Sequence, residues 1–126
     1  MYLVDTNIFL EVLLSQDRRD ICKSFLNANT GYLYISDFSL HSIGVILFRN
    51  DKADIFHKFV NDALMNIEIM TLPKNLYADL AKVKEKFGLD FDDAYQTALA
   101  KNHNFRVITL DKDFRKVQDE IEVEFL

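Results

Sequence analysis

Cysteine, proline and glycine are scarce in this chain: there is one cysteine (Cys22), one proline (Pro73) and three glycines. A single cysteine forbids an internal disulfide. Cys22, beside Ile21 on an apolar helical face, reads as a small core residue and not as a reactive thiol. So little glycine and proline leaves no room for flexible linkers or low-complexity sequence, and there is no internal repeat. No apolar run approaches the roughly 18 residues of a membrane span. No basic N-terminal region leads into an apolar stretch, so a reduced, cytoplasmic location without membrane contact is the expectation. Positive charge is also in deficit, with 15 Lys and Arg against 20 Asp and Glu, a formal −5. That balance excludes a protein that coats nucleic acid by bulk charge. It leaves room for an acidic site whose bound cations invert the local field.

What is present is apolar residues in abundance. Of 126 residues, 49% are hydrophobic and 28% charged. That suits a single globular domain over residues 1–126 with a core of its own. Tyr2, Leu3 and Val4 form an apolar run that Asp5-Thr6-Asn7 breaks at once, as a short strand buried on both faces does. Ile8 to Leu14 predicts a short, largely buried helix. Asp17 is placed to cap a second helix carrying Cys22, Phe25 and Leu26, with Asn29-Thr30-Gly31 as its left-handed end. Tyr32 to Ile35 predicts a strand, and Ser36 or Asp37 caps the next helix. Asp51 opens a further helix through Phe56, Phe59 and Ala63. Ile67 to Leu72 reads as the third strand, halted by Pro73. Leu76, Leu80, Val83 and Phe87 step at helical spacing up to Gly88. Asp90 stands at the cap of a helix from Phe91 to about Asn102, and Phe105 to Thr109 reads as the fourth strand. A helical turn surrounds Phe114, and Ile121, Val123 and Phe125 alternate with glutamates as in a half-exposed edge strand. Strands alternating with helices predict an α/β fold: a three-layer α/β/α sandwich around a central, mainly parallel sheet of about five strands.

Asp5 ends the first strand, Asp111 follows the fourth by two residues, and Asp93 lies in the first turn of the helix before that fourth strand. If the first and fourth strands are neighbours, these carboxylates approach one site at the carboxyl edge of the sheet, where open α/β sheets bind ligands. Gathered carboxylates repel one another and raise at least one pKa unless a cation intervenes. Mg²⁺ or Mn²⁺, a hard ion with oxygen ligands that keeps several waters, suits such a shallow acidic cleft. Asn7 and Thr109 are positioned to hold the carboxylates by hydrogen bonds. The plainer reading of each aspartate is a helix cap or a residue that suits the helix dipole.

The segment Val4-Asp5-Thr6-Asn7 resembles the opening of PIN-domain nucleases. Leu89-Asp90-Phe91-Asp92-Asp93-Ala94 with Ala98, and then Val107-Ile108-Thr109-Leu110-Asp111-Lys112-Asp113-Phe114, resembles their C-terminal signature. The blocks span the chain in order and are similar to the small PIN proteins that act as toxins of VapC-type toxin–antitoxin pairs. The resemblance implies a Mg²⁺- or Mn²⁺-dependent endoribonuclease, commonly a homodimer, acting on RNA and restrained by a partner antitoxin protein. By motif position it implies catalysis and metal binding at Asp5, Asp93 and Asp111, with Asp113 as an auxiliary and Asn7 and Thr109 in support. One departure stands out. The family usually places a glutamate early in the helix after the second strand, and here that position holds Ser42, with His41 before it. Either Asp37 or His41 contributes in its place, or the domain is a weak or inactive module that binds RNA or a protein.

Most basic residues are scattered among acids as solvated helix faces. Lys112, Arg115 and Lys116 follow Asp111 directly and are placed to touch an RNA backbone. His57 and His103 read as surface residues, and Glu11 as facing away from the site. The eleven Phe and five Tyr read as core, with Phe9, Phe25, Phe56 and Phe59 on apolar helical faces. A phosphoacceptor receiver domain also gathers aspartates at a parallel-sheet edge. It requires an aspartate directly after its third strand, and Thr71-Leu72-Pro73 stands there instead.

Overall fold

The computed structural model describes residues 1–126. Five strands, β1 (Tyr2–Val4), β2 (Leu33–Ser36), β3 (Glu68–Met70), β4 (Arg106–Thr109) and β5 (Val123–Phe125), form one sheet in the order β3-β2-β1-β4-β5. Every pairing is parallel. Six α-helices connect them: α1 (Thr6–Leu13), α2 (Arg19–Ala28), α3 (Asp37–Arg49), α4 (Ala53–Asp62), α5 (Leu80–Phe87) and α6 (Phe91–His103).

The three central strands, β1, β2 and β4, carry apolar side chains on both faces, and alternation divides them between two cores. Leu3 and Val107 pack with Leu80, Tyr95 and Leu99 of α5 and α6. Val4, Ile35 and Ile108, one residue along, pack with Ile8, Phe9, Cys22, Ile43, Leu47 and Phe59 of α1–α4. The sheet is thus the middle of three layers. The chain winds outward from β1 through β2 to β3 and then returns across the sheet to β4 on the other side of β1. Winding reverses between β1 and β4, and the Asp5 N–H donates to the Ile108 carbonyl (2.9 Å), extending that pairing to the first aspartate. A crevice at the carboxyl edge belongs at such a reversal.

Several boundaries differ from the sequence reading, for local reasons. Asp17 caps nothing: α2 begins after Arg18, whose N–H donates to Glu11 Oε2 (3.2 Å). Asp51 closes α3 instead of opening α4. It sits in the left-handed region (φ 56°), and its N–H donates to the Phe48 carbonyl (3.3 Å). Ser36 caps α3 by accepting from the Ser39 N–H (2.9 Å). After Pro73 the chain winds first as a 3₁₀ turn, Lys74–Asp79, before α5, as short connecting turns often do. Cys22 is fully buried, and burial pushes its thiol up. Its neighbour Ile21 points outward at 50% exposure, because adjacent helical residues are turned about 100° apart. No helix is long and apolar enough to cross a membrane.

Candidate functional site

Asp5 emerges from β1 into the start of α1 with an extended backbone, which turns its side chain back over the helix terminus. Its Oδ1 accepts from the Thr6 N–H (2.9 Å), and its Oδ2 accepts from the Thr109 hydroxyl (2.8 Å) at the end of β4. The same Thr109 oxygen accepts from the Asp111 N–H (2.9 Å), so one hydroxyl fixes both aspartates. Asp111 Oδ1 accepts from the Asp113 N–H (2.9 Å), opening a 3₁₀ turn over Lys112–Val117. Asp93 stands in the first turn of α6. Its backbone is pinned by its N–H to Asp92 Oδ1 (3.0 Å) and by the Thr97 hydroxyl on its carbonyl (2.8 Å), which leaves the carboxylate to the cleft.

Asp5, Asp93 and Asp111 line one cleft of about 200 Å³, together with Asp92, and no basic residue lines it. Carboxylate oxygens of Asp93, Asp111 and Asp113 all lie within 4.8 Å of one another. The charge this concentrates is visible in the two buried members. Burial raises Asp5 above the ordinary carboxylate range, with Asp111 adding to the effect, although hydrogen bonds from Thr109, Thr6 and Gln96 pull the other way. Asp93 is pushed up to about 7, chiefly by burial and then by the charges of Asp92, Asp111, Asp5 and Asp113. A cluster of hard oxygen donors in which burial, and then neighbouring charge, holds a proton on Asp93 fits a divalent cation, which would replace that proton.

The remaining residues named from sequence fall as follows. Asn7 is exposed on the cleft rim, while Thr6 and Thr109 make the hydrogen bonds to Asp5. Ser42 lines the cleft on the same helical face as Phe38 and Ile46, residues spaced by four. Asp37 and His41 lie one residue earlier on α3 and are therefore rotated away from that face. They line a neighbouring hollow, and Asp37 Oδ1 accepts there from the Tyr95 hydroxyl (2.6 Å) and the Phe38 N–H (2.8 Å). Neither is among the residues that line the acidic cleft. Lys112, Arg115 and Lys116 are exposed on the turn after Asp111, with Lys116 Nζ 3.9 Å from Asp113 and Arg115 over the Phe125 ring.

Sequence reasoning missed the layer beneath. Gln96 Nε2 donates to Ser39 Oγ (3.0 Å) and reaches Asp5 Oδ1 (3.5 Å), and the Thr6 hydroxyl donates to the same Ser39 oxygen (2.8 Å). Gln96 Oε1 is buried without a partner. The available signal was Gln96 one helical turn after Asp93, on the same face. The largest hollow, about 780 Å³, lies at the opposite edge of the sheet. Three of its four acids are already paired, Glu120 with Lys101 (3.0 Å) and Glu122 and Glu124 with Arg106 (3.0 and 3.4 Å).

Comparison with known proteins agrees with this architecture. A toxin–antitoxin complex from Klebsiella pneumoniae contains a chain 24% identical, covering 90% of each chain at a TM-score of 0.73. FitAcB from Neisseria gonorrhoeae is 22% identical over 100% of this chain and 97% of that one, at 0.75. VapBC2 from Rickettsia felis, bound to a DNA fragment from its promoter, is 15% identical over 99% and 98%, at 0.82. At these identities the likeness is one of fold. No curated relative matches. The family profile described as PIN domain, however, matches residues 2–120, both aspartate blocks included, and the chain belongs to that PIN domain family.

Proposed function

We propose that this protein is a Mg²⁺- or Mn²⁺-dependent endoribonuclease, the toxin of a type II toxin–antitoxin pair. The observation that carries the reading is the acidic cleft, in which Asp5, Asp93 and Asp111 line one hollow without a neutralising side chain. Family membership supports nuclease chemistry in general. The structures of similar fold named as toxin–antitoxin complexes support an antitoxin partner. A homodimer in the cytoplasm completes the reading.

Asp5, Asp93 and Asp111 would hold the ion, with Asp113 as an auxiliary. A bound Mg²⁺ or Mn²⁺ lowers the pKa of water and neutralises charge on a phosphodiester. The rest falls to the chain. Thr109 and Thr6 orient Asp5, and the Thr109 oxygen sets the backbone of Asp111. Hydrolysis adds water across one P–O bond: the new oxygen–phosphorus bond forms as the ribose oxygen leaves and takes up a proton. Lys112, Arg115 and Lys116 supply positive charge beside the cleft for the RNA backbone.

Ser42 in the cleft wall favours a second reading, a module that binds RNA or protein without cutting. Calorimetric titration with Mn²⁺ and Mg²⁺, on wild type and Asp93→Asn, followed by an RNA cleavage assay, separates the two. Metal binding that disappears in the variant, with metal-dependent cleavage by wild type, upholds the nuclease. Metal binding without cleavage favours the module. A folded protein that binds no ion removes the proposal.

A further inference from the structure

Beside the acidic cleft lies a second hollow of about 300 Å³, and Phe38 lines both. Its other lining residues are Asp37, His41, Tyr77, Phe91 and Tyr95. This grouping departs from the reading of the aromatics as core. Phe91 is 56% exposed and Tyr77 44% exposed, although each has an aromatic neighbour. Phe91 tilts against Phe38 (5.9 Å between centroids) and against Tyr95 (6.3 Å), and Tyr77 meets Tyr95 edge-on (5.9 Å). Scattered exposed apolar residues are ordinary, but here they surround a carboxylate. Asp37 takes both of its protein hydrogen bonds, from Tyr95 and from Phe38, on Oδ1, which leaves Oδ2 as an acceptor for something else.

We propose that this hollow is a nucleobase subsite. The nucleotide next to the scissile phosphate stacks its base on Phe91 and Phe38 and donates an exocyclic amino hydrogen to Asp37 Oδ2. The inference rests on the ribonuclease reading above. Single-stranded RNA is recognised by splayed bases that stack on aromatic side chains and hydrogen-bond through their edges, and this hollow offers both. Stacking alone does not choose among bases. The carboxylate does, because cytosine, adenine and guanine carry an exocyclic amino donor and uracil carries only a carbonyl acceptor in its place. A phosphodiester in the acidic cleft has its adjoining base beside Phe38, the wall common to both hollows.

The test uses the full chain with Mn²⁺ and short single-stranded RNAs that differ only in the nucleotide flanking the mapped cleavage position. Wild type should cut beside cytidine in preference to uridine by about tenfold or more in kcat/KM. Phe91→Ala, at an exposed position, should raise KM by roughly 5- to 100-fold with kcat little changed. Asp37→Asn keeps the Oδ1 acceptor and replaces Oδ2 with an amide donor, so the preference should narrow or turn towards uridine. Equal cutting beside both bases, or no change of KM and base preference in the two variants, overturns the subsite while the nuclease stands. If wild type cuts no RNA, the ribonuclease reading fails by itself, and the subsite is judged by binding. NMR titration with hexacytidylate and hexauridylate should then move the Phe91 and Tyr77 signals more with the former. Signals that ignore both oligonucleotides overturn the subsite and leave the hollow to a protein side chain.

Discussion

Asp5 carries two duties, and they pull its chemistry in opposite directions. As the cap of α1 it is best ionised, yet burial and Asp111 favour its protonated form. Thr109 reconciles them, because its hydroxyl donates to Asp5 and accepts from the backbone of Asp111. Thr109→Val should preserve the fold and weaken Mn²⁺ affinity or RNA cleavage by roughly 10- to 100-fold, as loss of a ligand-orienting partner does elsewhere. Calorimetry reads this directly, and unchanged affinity and cleavage would show that Asp5 needs no such support. Asp5→Asn keeps the acceptor for the Thr6 N–H, so its circular dichroism should match wild type while cleavage disappears. Retained cleavage in a clean preparation would remove Asp5 from the site. Asp93 gives the pH dependence. Its pKa is raised from 3.8 to about 7, so the folded protein holds a proton that the unfolded chain has released. That contribution to stability is complete below the unfolded value and is lost as pH rises through the folded one. The melting temperature of the ion-free protein should therefore fall between about pH 4 and 7, less steeply in Asp93→Asn. Identical slopes in the two proteins would contradict the assignment. Asp5 and Asp111 were legible as residues that follow strands, and Asp93 as one in the first turn of a helix. Gln96 was not, because its partner Asp5 lies 91 positions away, and its place one helical turn after Asp93 is the only local mark it carries.

Among the elements, α6 is tied to two neighbouring segments by one side chain, Tyr95. The Tyr95 hydroxyl accepts from the Leu72 N–H (2.9 Å) just beyond β3 and donates to Asp37 (2.6 Å) at the start of α3. Through this bridge the helix that presents Asp93 is registered against α3 and the segment that leaves β3. Tyr95→Phe leaves a buried N–H without its acceptor and should cost about 1–3 kcal/mol in urea denaturation. A cost well below that range would mean that water or a shift of the chain replaces the hydroxyl. Helix existence was readable from apolar spacing throughout, but caps were so only in part. Asp17 and Asp51 are cap-type residues with no helix start to serve. A carboxylate from α1 reaches the Arg18 N–H before α2, and the end of α3 draws Asp51 into a left-handed turn. Both outcomes depend on where the preceding helix stops, and no local rule supplies that. Gly88 is the converse case, a left-handed C-cap (φ 67°) that its residue type announced.

At the scale of the whole molecule, strand order does what no single motif can. The first and fourth strands pair directly, and α5 and α6 cross to the face opposite α1–α4, so residues more than a hundred positions apart meet at one edge. Alternating strands and helices made the parallel three-layer fold legible, and the neighbouring of β1 and β4 stood only as a condition. The molecule as a whole is acidic, at −5, and its candidate active cleft is lined by four aspartates and no base. RNA can approach such a surface only where local cations offset the field. Lys112, Arg115 and Lys116 stand next to the cleft, and Lys116 is already drawn towards Asp113 (3.9 Å) and the Gly88 carbonyl (3.4 Å). Being exposed, they should contribute through charge and not through fit. Arg115→Gln with Lys116→Gln should leave the fold intact and weaken single-stranded RNA binding at low salt. It should also flatten the plot of log affinity against log salt, by about 0.7 for each phosphate that the protein no longer neutralises. If affinity falls but the slope does not, the two residues act by shape. If neither changes, the backbone is held elsewhere, and the divalent ion would be the main bridge between this acidic protein and its substrate.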